Sequence, residues 1–337
     1  MVTIKDVAKL AGVSTSTASR AMHDSSMISE ATKERVRQAM KELNYSPNYS
    51  AQNLVKRRSN TIGIVLPVRE SQESLGNNPL FMQIIQGISG VCTDNHYMVS
   101  LATGRTEDEL IANIETLIRS GNLSKFIFLY SKVNDRVFQF VQQAGVSCVV
   151  VGESYNATQE GIQFVDNDNT LAGQDAAQFL ADKGLQGIAY AYTNMDELVQ
   201  ASRYMGYANV MKEEGQMTKR LQLSRVDDAA NMVALTAFLE ENPRLEAFVA
   251  CDDIMAIRLQ RLFKKLGRAN DEFAIISFNN SIISEVAAPA LTSIEIFPYQ
   301  LGSKAAELIL GKAGKENSLT IPHRIIERAS TQLPSKK

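Results

Sequence analysis

Tryptophan is absent from the 337 residues, and only three cysteines and three histidines occur. Cys92, Cys148 and Cys251 are odd in number, far apart and set in apolar runs, so they read as buried thiols of a reduced compartment. His23, His96 and His323 are too dispersed for metal-ligand spacing, and neither a metal nor a cofactor is expected. No apolar run approaches the roughly 18 residues needed to cross a bilayer. Met1-Val2-Thr3-Ile4-Lys5-Asp6 lacks the basic, then apolar, build of a signal peptide. A cytoplasmic protein without a membrane partner is expected. Catalytic signatures are missing as well. No G-x-G-x-x-G follows the first strand, no G-x-S-x-G elbow occurs, and Gly311-Lys312-Ala313-Gly314-Lys315 lacks the spacing and hydroxyl of a P-loop. Counting Asp and Glu does not dismiss a glycosidase pair, but nothing demands catalysis, and no catalytic residues are assigned.

What is present is a soluble globular mixture, 45% apolar and 21% charged, long enough for two or three domains. The net charge of −2 hides a split. Residues 1–60 carry ten Lys+Arg against five Asp+Glu, or +5, which leaves −7 on the remainder. A small basic head on an acidic body suggests a polyanion partner for the head alone. In that head, Thr3 with Asp6 three residues on is a weak capping box, and Ile4, Val7, Ala8 and Ala11 form one helical stripe. Gly12 stops the first helix. Ser14 caps a second, with Ala18 and Met22 inward and Thr15, Ser16, Thr17, Ser19 and Arg20 outward. A third begins at Ile28-Ser29 and buries Val36, Met40 and Leu43. Two short helices joined by a tight glycine turn, the second of them polar, describe a helix-turn-helix. Its hydroxyls and arginine fork suit base edges in a major groove.

Thr3-Ile4-Lys5-Asp6-Val7-Ala8, Ala11-Gly12-Val13-Ser14, Ser19-Arg20 and Leu43-Asn44-Tyr45-Ser46-Pro47-Asn48 resemble the head of the lactose-repressor (LacI/GalR) family. The resemblance implies operator-DNA contacts by Thr15, Ser16, Thr17 and Arg20. It also implies a hinge helix over residues 48–56 that folds on double-stranded operator DNA. There Asn48, Tyr49 and Ser50 lie by phosphates, and Ala51 and Leu54 enter the minor groove, Leu54 as an apolar wedge between base steps. Lys56, Arg57 and Arg58 add sequence-independent attraction. Gln52 departs from the arginine that many relatives carry.

The body alternates short apolar strands with helices: strands at 61–67, 97–102, 125–130 and 147–151, helices near 79–94, 107–119 and 134–144. A second set has strands at 187–192, 246–251, 273–278 and 292–297, and a last strand near 320–328. Such βα alternation implies parallel sheets with helices on both faces. The expected fold class is thus a small all-α head plus an α/β core of two doubly wound lobes, which resembles periplasmic sugar-binding proteins, as the family's core does. The expected division is a head at 1–47, a hinge and linker at 48–60, a first lobe at 61–162 with 293–318, and a second lobe at 163–292 with 319–331. The second lobe is also expected to form the dimer.

Ligands of such folds bind beyond the carboxyl ends of strands, between lobes. Sugars offer vicinal hydroxyls to bidentate polar side chains and C–H faces to aromatic rings. The resemblance places an effector-binding arginine at Arg203, within Ser202-Arg203-Tyr204-Met205-Gly206-Tyr207. Asp252 falls where relatives carry an effector-contacting asparagine, and Asn279 where a sugar-binding aspartate is frequent. Tyr130 and Phe164 are aromatic candidates at strand ends, and Asn78 and Phe81 lie on a first-lobe loop. Asp252 and Asn279 have a second reading as caps of the helices that follow them. Asn78-Pro79-Leu80-Phe81, Leu129-Tyr130-Ser131-Lys132, Val165-Asp166-Asn167-Asp168-Asn169 and Ser277-Phe278-Asn279-Asn280-Ser281 resemble maltose-operon regulators of low-GC Gram-positive bacteria. The expected partners are operator DNA, a maltose or malto-oligosaccharide effector and a second copy of the chain in a homodimer. The expected activity is a repressor released by sugar. Two alternatives stay open: a global regulator of the same family controlled by a protein corepressor, and a cytosolic sugar-binding protein. No heptads follow the last strand, so no coiled-coil tetramer is expected.

Overall fold

The computed structural model describes residues 2–45, 59–68, 78–153, 162–269, 271–312 and 318–332. The expected hinge helix, with Asn48, Tyr49, Ser50, Ala51 and Leu54, lies outside the described residues. The chain divides into two units, Met1–Arg58 and Ser59–Lys337, each considered by itself.

In the head, α1 (Ile4–Leu10), α2 (Thr15–Met22) and α3 (Glu30–Glu42) enclose a core of Val7, Ala8, Ala11, Ala18, Ala21, Val36 and Ala39. The expected stripes are those that are buried, with Met22, Met40 and Leu43 half-buried at their margins. The N-termini are capped as their residue types require. The Thr3 backbone N–H and hydroxyl both donate to Asp6 Oδ2, at 2.8 and 2.7 Å. Ser29 Oγ accepts from the Thr32 N–H at 3.4 Å. Gly12 follows α1 with φ +66°, a conformation in which a Cβ is strained.

The second unit is built on two six-stranded sheets. Its strands and helices in the first lobe are β1 (Thr61–Val65), α4 (Pro79–Asp94), β2 (Met98–Ala102), α5 (Glu107–Arg119), β3 (Lys125–Phe128), α6 (Arg136–Gln143), β4 (Ser147–Val151) and β5 (Gln163–Asp166). The second lobe follows with α7 (Asn169–Asp182), β6 (Ile188–Tyr192), α8 (Leu198–Glu213), β7 (Arg220–Gln222), α9 (Asp228–Glu241), β8 (Ala247–Ala250), α10 (Asp253–Lys265), β9 (Ala274–Phe278), α11 (Ile282–Val286) and β10 (Thr292–Glu295). The chain then returns through α12 (Pro298–Ile309) and ends with β11 (Ser318–Thr320) and β12 (Arg324–Ile326). The first sheet has the order β11-β5-β4-β3-β1-β2 and is parallel throughout. The second has the order β12-β10-β9-β8-β6-β7 and is parallel except for β12.

Strand pairing moves each expected lobe boundary. β5 completes the first sheet against β4 instead of opening the second lobe at residue 163. β10 stays in the second sheet against β9, so the chain recrosses after Glu295 and not at 293. The single strand expected at 320–328 is two strands in two sheets. Pro322, which has no N–H to give to a ladder, stands between them. The three crossings therefore run between Asp166 and Asn169, Glu295 and Pro298, and Thr320 and Arg324.

α8, which carries Arg203, is set against α7 by a pair of glycines. A Cβ on Gly173 would overlap the Arg203 carbonyl oxygen, and one on Gly206 would overlap that of Thr170. The two helices thus touch backbone to backbone, and the approach fixes where the Arg203 side chain starts.

Candidate nucleic-acid interface and effector cleft

On the head, α2 is capped by Ser14, whose Oγ accepts the Thr17 N–H at 3.0 Å. The same hydroxyl lies 2.8 Å from both Ser16 Oγ and Thr17 Oγ1. Ala18 and Ala21 are buried, which turns Thr15, Ser16 and Arg20 to solvent at the start and middle of the helix. Thr17 is half-buried and tied to the cap, so it is the least available of the four expected DNA contacts. Hydroxyls and a guanidinium project from one helix whose N-terminal end favours anions, and that combination suits a duplex. The basic residues of α3 are more occupied. Arg37 pairs with Asp24 at 2.6 Å and with Glu30 at 3.0 Å, and its guanidinium pKa is raised by those hydrogen bonds.

In the second unit, a cavity of about 280 Å³ opens between the lobes at the carboxyl ends of the strands. Asn78, Phe81, Tyr130, Arg203, Asp252 and Asn279 all line it. The seventh expected residue, Phe164, does not. It sits two residues short of the end of β5 and packs into the first lobe's apolar cluster with Phe126, Phe128 and Phe138. Asp166, at the strand end itself, reaches the cavity in its place.

Arg203 is 4% exposed. Its Nε donates to Asn169 Oδ1 at 3.1 Å and one terminal nitrogen donates to the Cys251 carbonyl at 2.7 Å, while the guanidinium lies over the Phe278 ring at 4.2 Å. Burial lowers its pKa, and the charge of Asp166 partly compensates. Asp166 accepts from the Asn167 N–H at 2.8 Å and from Asn169 Nδ2 at 2.9 Å. Burial pushes its carboxyl up to about 7, against the lowering effects of those bonds and of Arg203. Asp252 is the cap that its second reading expected. It caps α10 through Oδ1 to the Met255 N–H at 2.7 Å, and it also faces the cavity. Asn279 is no cap, because that part is taken by Ser281 at α11. Asn279 has φ 92°, a strained conformation for a side-chain-bearing residue. Its buried Oδ1 has no hydrogen-bond partner among the described residues. Asn78 caps α4 through its side-chain oxygen, and Phe81 is a core residue with one edge on the cavity. The Tyr130 hydroxyl is raised by burial and bonded to Asp135.

Sequence reasoning assigned no part to Asp166, Asn169, Glu107, Lys132, Glu197 or Gln200. Asp166 and Asn169 had a visible signal, a polar Asp/Asn run closing an apolar strand. The others had none. At the mouth of the cleft Lys132 bonds Glu107 at 3.0 Å and Arg225 bonds Glu197 at 3.3 Å. Here the lobes also meet: Lys132 and Glu197 form a backbone bridge, and the Ser202 hydroxyl donates to Glu153.

Comparisons with known proteins agree with both halves. Residues 3–48 match the family model described as bacterial regulatory proteins, lacI family, and residues 177–331 match a periplasmic binding protein-like domain. The HTH-type transcriptional regulator MalR of Streptococcus pneumoniae is 32% identical over 346 residues, which cover 97% of this chain and 99% of that one. MalR of Staphylococcus xylosus is 29% identical, with 98% of each chain covered. A solved CelR–cellobiose complex is 26% identical, with a TM-score of 0.72 over 98% of this chain and all of that one. A lac repressor dimer on operator, at 22% identity and a TM-score of 0.75 over 99% of each chain, shares the fold. The chain belongs to the LacI family of bacterial regulatory proteins, and it is a DNA-binding transcriptional regulator, not an enzyme.

Proposed function

We propose that this regulator represses genes for maltose or malto-oligosaccharide use, and that sugar bound between the lobes releases it from a pseudo-palindromic operator. The observation that carries the effector reading is the cavity itself. Arg203, Asp252, Asn279 and Asp166 surround it with acceptors and a forked donor for vicinal hydroxyls, and Phe81 and Tyr130 offer ring surface. The carboxylates on its wall, Glu107, Asp166, Asp196, Glu197 and Asp252, outnumber its cations, Lys132 and Arg203. That balance favours a neutral sugar over a phosphorylated one. Maltose is favoured by the relatives named MalR in Streptococcus pneumoniae and Staphylococcus xylosus. The CelR–cellobiose neighbour keeps cellobiose as the second reading. In DNA binding, Thr15, Ser16, Thr17 and Arg20 enter the major groove. Asn48, Tyr49 and Ser50 lie along phosphates, and Ala51 and Leu54 enter the minor groove. Two copies in a homodimer engage two half-sites about one helical turn apart.

The test is a fluorescence-anisotropy titration of the full chain onto a labelled pseudo-palindromic duplex from beside its own gene. It is run at fixed salt with no sugar, maltose, maltotriose, cellobiose or glucose 6-phosphate. Tight binding released by maltose or maltotriose alone supports the proposal. Release by cellobiose alone transfers the effector to the second reading. Binding that no sugar weakens refutes the effector reading.

A further inference from the structure

Three strands of chain carry the first lobe into the second, and one side chain touches all three crossings. Asn167 belongs to the first crossing and is 5% exposed. Its Nδ2 donates to the Ile321 carbonyl of the third crossing at 2.9 Å and to the Ile296 carbonyl of the second at 3.2 Å. Both N–H bonds of one carboxamide are thereby spent on backbone carbonyls of the other two crossings. The Ile321 N–H returns a bond to the Asp166 carbonyl at 2.8 Å, which locks the first crossing to the third directly. The second crossing is stiff in its own right. Phe297 has φ 54° and is followed by Pro298, and its N–H donates to Glu295 Oε1 at 2.7 Å.

The clasp is continuous with the cleft. The Asn167 N–H donates to Asp166 Oδ1, the other oxygen of Asp166 accepts from Asn169, and Asn169 accepts from Arg203. Asp166, Arg203 and Ile296 all line the cavity. An occupant that engages Asp166 or Arg203 therefore pulls on groups bonded to the three crossings. The lobes also touch at the Lys132–Glu197 backbone bridge and the Ser202–Glu153 contact.

We propose that Asn167 is the positioning residue that sets the angle between the lobes and passes occupancy of the cleft to the crossings. The proposal rests on the effector reading above for what fills the cleft, but not for the clasp itself. Asparagine suits this place because its amide gives two donors and fits between two carbonyls. Aspartate has the same size and would turn two acceptors toward acceptors, and serine could satisfy only one of the two.

The test places nitroxides at Ser120→Cys and Lys212→Cys, exposed positions on opposite lobes, and measures the interlobe distance distribution. The three native cysteines are buried and escape the label. In the sugar-free full chain, the parent is expected to give one narrow distribution, and Asn167→Ala one roughly twofold broader, as two lobe angles become populated. Asn167→Ser is expected to fall between them, and it serves as the variant if Asn167→Ala does not fold. Unfolding is followed in parallel. A merely structural part for Asn167 predicts a lower melting midpoint with an unchanged distribution, and that result overturns the proposal. Maltotriose is then added to each. A parent that narrows or shifts while Asn167→Ala does not completes the case, whereas an equal shift in both breaks the link between occupancy and clasp. A parent that ignores maltotriose, maltose and cellobiose counts against the effector reading and leaves the sugar-free comparison to decide the clasp.

Discussion

Replacing Asp166 by Asn should stabilise the protein by an amount that grows as pH rises from 5 to 7 and levels off at pH 8. The carboxyl titrates near 7 in the folded chain because burial raises it. In the unfolded chain it titrates at the ordinary value of 3.8. The folded state therefore holds a proton that the unfolded state has lost over the whole interval between those values. Stability contributed by this group is full below the unfolded value and falls as pH rises, until the folded site also ionises. At 1.36 kcal/mol per pH unit, the interval from pH 5 to 7 is worth about 2.7 kcal/mol. Asn is close in shape to the protonated acid but turns an NH2 where both oxygens of Asp166 accept, which adds an offset that does not vary with pH, so the slope of the difference between pH 5 and 7 is what reports the proton. The nearest charges, Arg203 and Glu153, are common to both proteins, and Arg203 would lose a counter-charge only where Asp166 ionises. The assay is urea unfolding of parent and variant at pH 5, 6, 7 and 8, with the difference in unfolding free energy plotted against pH. A difference that stays flat across that range would refute the assignment of the proton to Asp166.

Arg203→Ala should abolish the response to sugar while leaving operator affinity within a few-fold of the parent in the same anisotropy titration; a variant still released by sugar would remove Arg203 from the effector site. On the proposal that Leu54 enters the minor groove, Leu54→Ala should weaken operator binding and leave calorimetric sugar binding intact. Ser14→Ala deletes the oxygen that accepts the Thr17 N–H and should cost the head about 1 kcal/mol in thermal unfolding. Gly206→Ala puts a methyl against the Thr170 carbonyl and should destabilise the second unit by ~3 kcal/mol or more, read by urea unfolding. A neutral result there would mean that α7 and α8 do not touch as described.

The head was legible because its signals are local. Ser14 has to cap something, Gly12 has to end something, and Ala18 with Ala21 can face inward only if Thr15, Ser16 and Arg20 face out. The helices of the body were legible for the same reason, and α4 and α5 match the pattern in the sequence residue for residue. The edges of the sheets were not. The edge strands β7, β11 and β12 have three residues each, too few for a period of two to declare itself, and β5 was cut off from its sheet because its outer neighbour is β11. A buried parallel strand and a short extended linker then look alike. Phe164 shows the cost of that ambiguity: one pleat closer to the strand end, where Asp166 stands, it would have lined the cavity, and where it is it fills the core. Arg203, Asp252 and Asn279 come from three different elements of the second lobe, and their convergence was visible only through family resemblance.

Asp166, Asn167 and Asn169 pose a different difficulty. In the sequence they are a run of turn-forming residues after an apolar strand, and that reading is correct as far as it goes. What it omits is that Asn167 and Asn169 are buried, and Asp166 half-buried at the cavity wall, where the chain crosses between lobes, with Arg203 beside them. Buried polar groups cost free energy unless every donor and acceptor is met, and an apolar replacement of matched shape often costs nothing. A crossing built only for stability would therefore carry aliphatic residues. This one holds a carboxyl raised toward neutrality, two carboxamides and a desolvated guanidinium, bonded in series from cavity wall to linker backbone. Such a series is worth its cost only if something arriving at the cavity can change it. On that reasoning the substitution that stabilises the protein at pH 8, Asp166→Asn, should also blunt its reply to sugar, because it removes the ionisable end of the series. A variant that gained stability at pH 8 and kept the full sugar response would separate the two properties and leave the buried network without a functional reason.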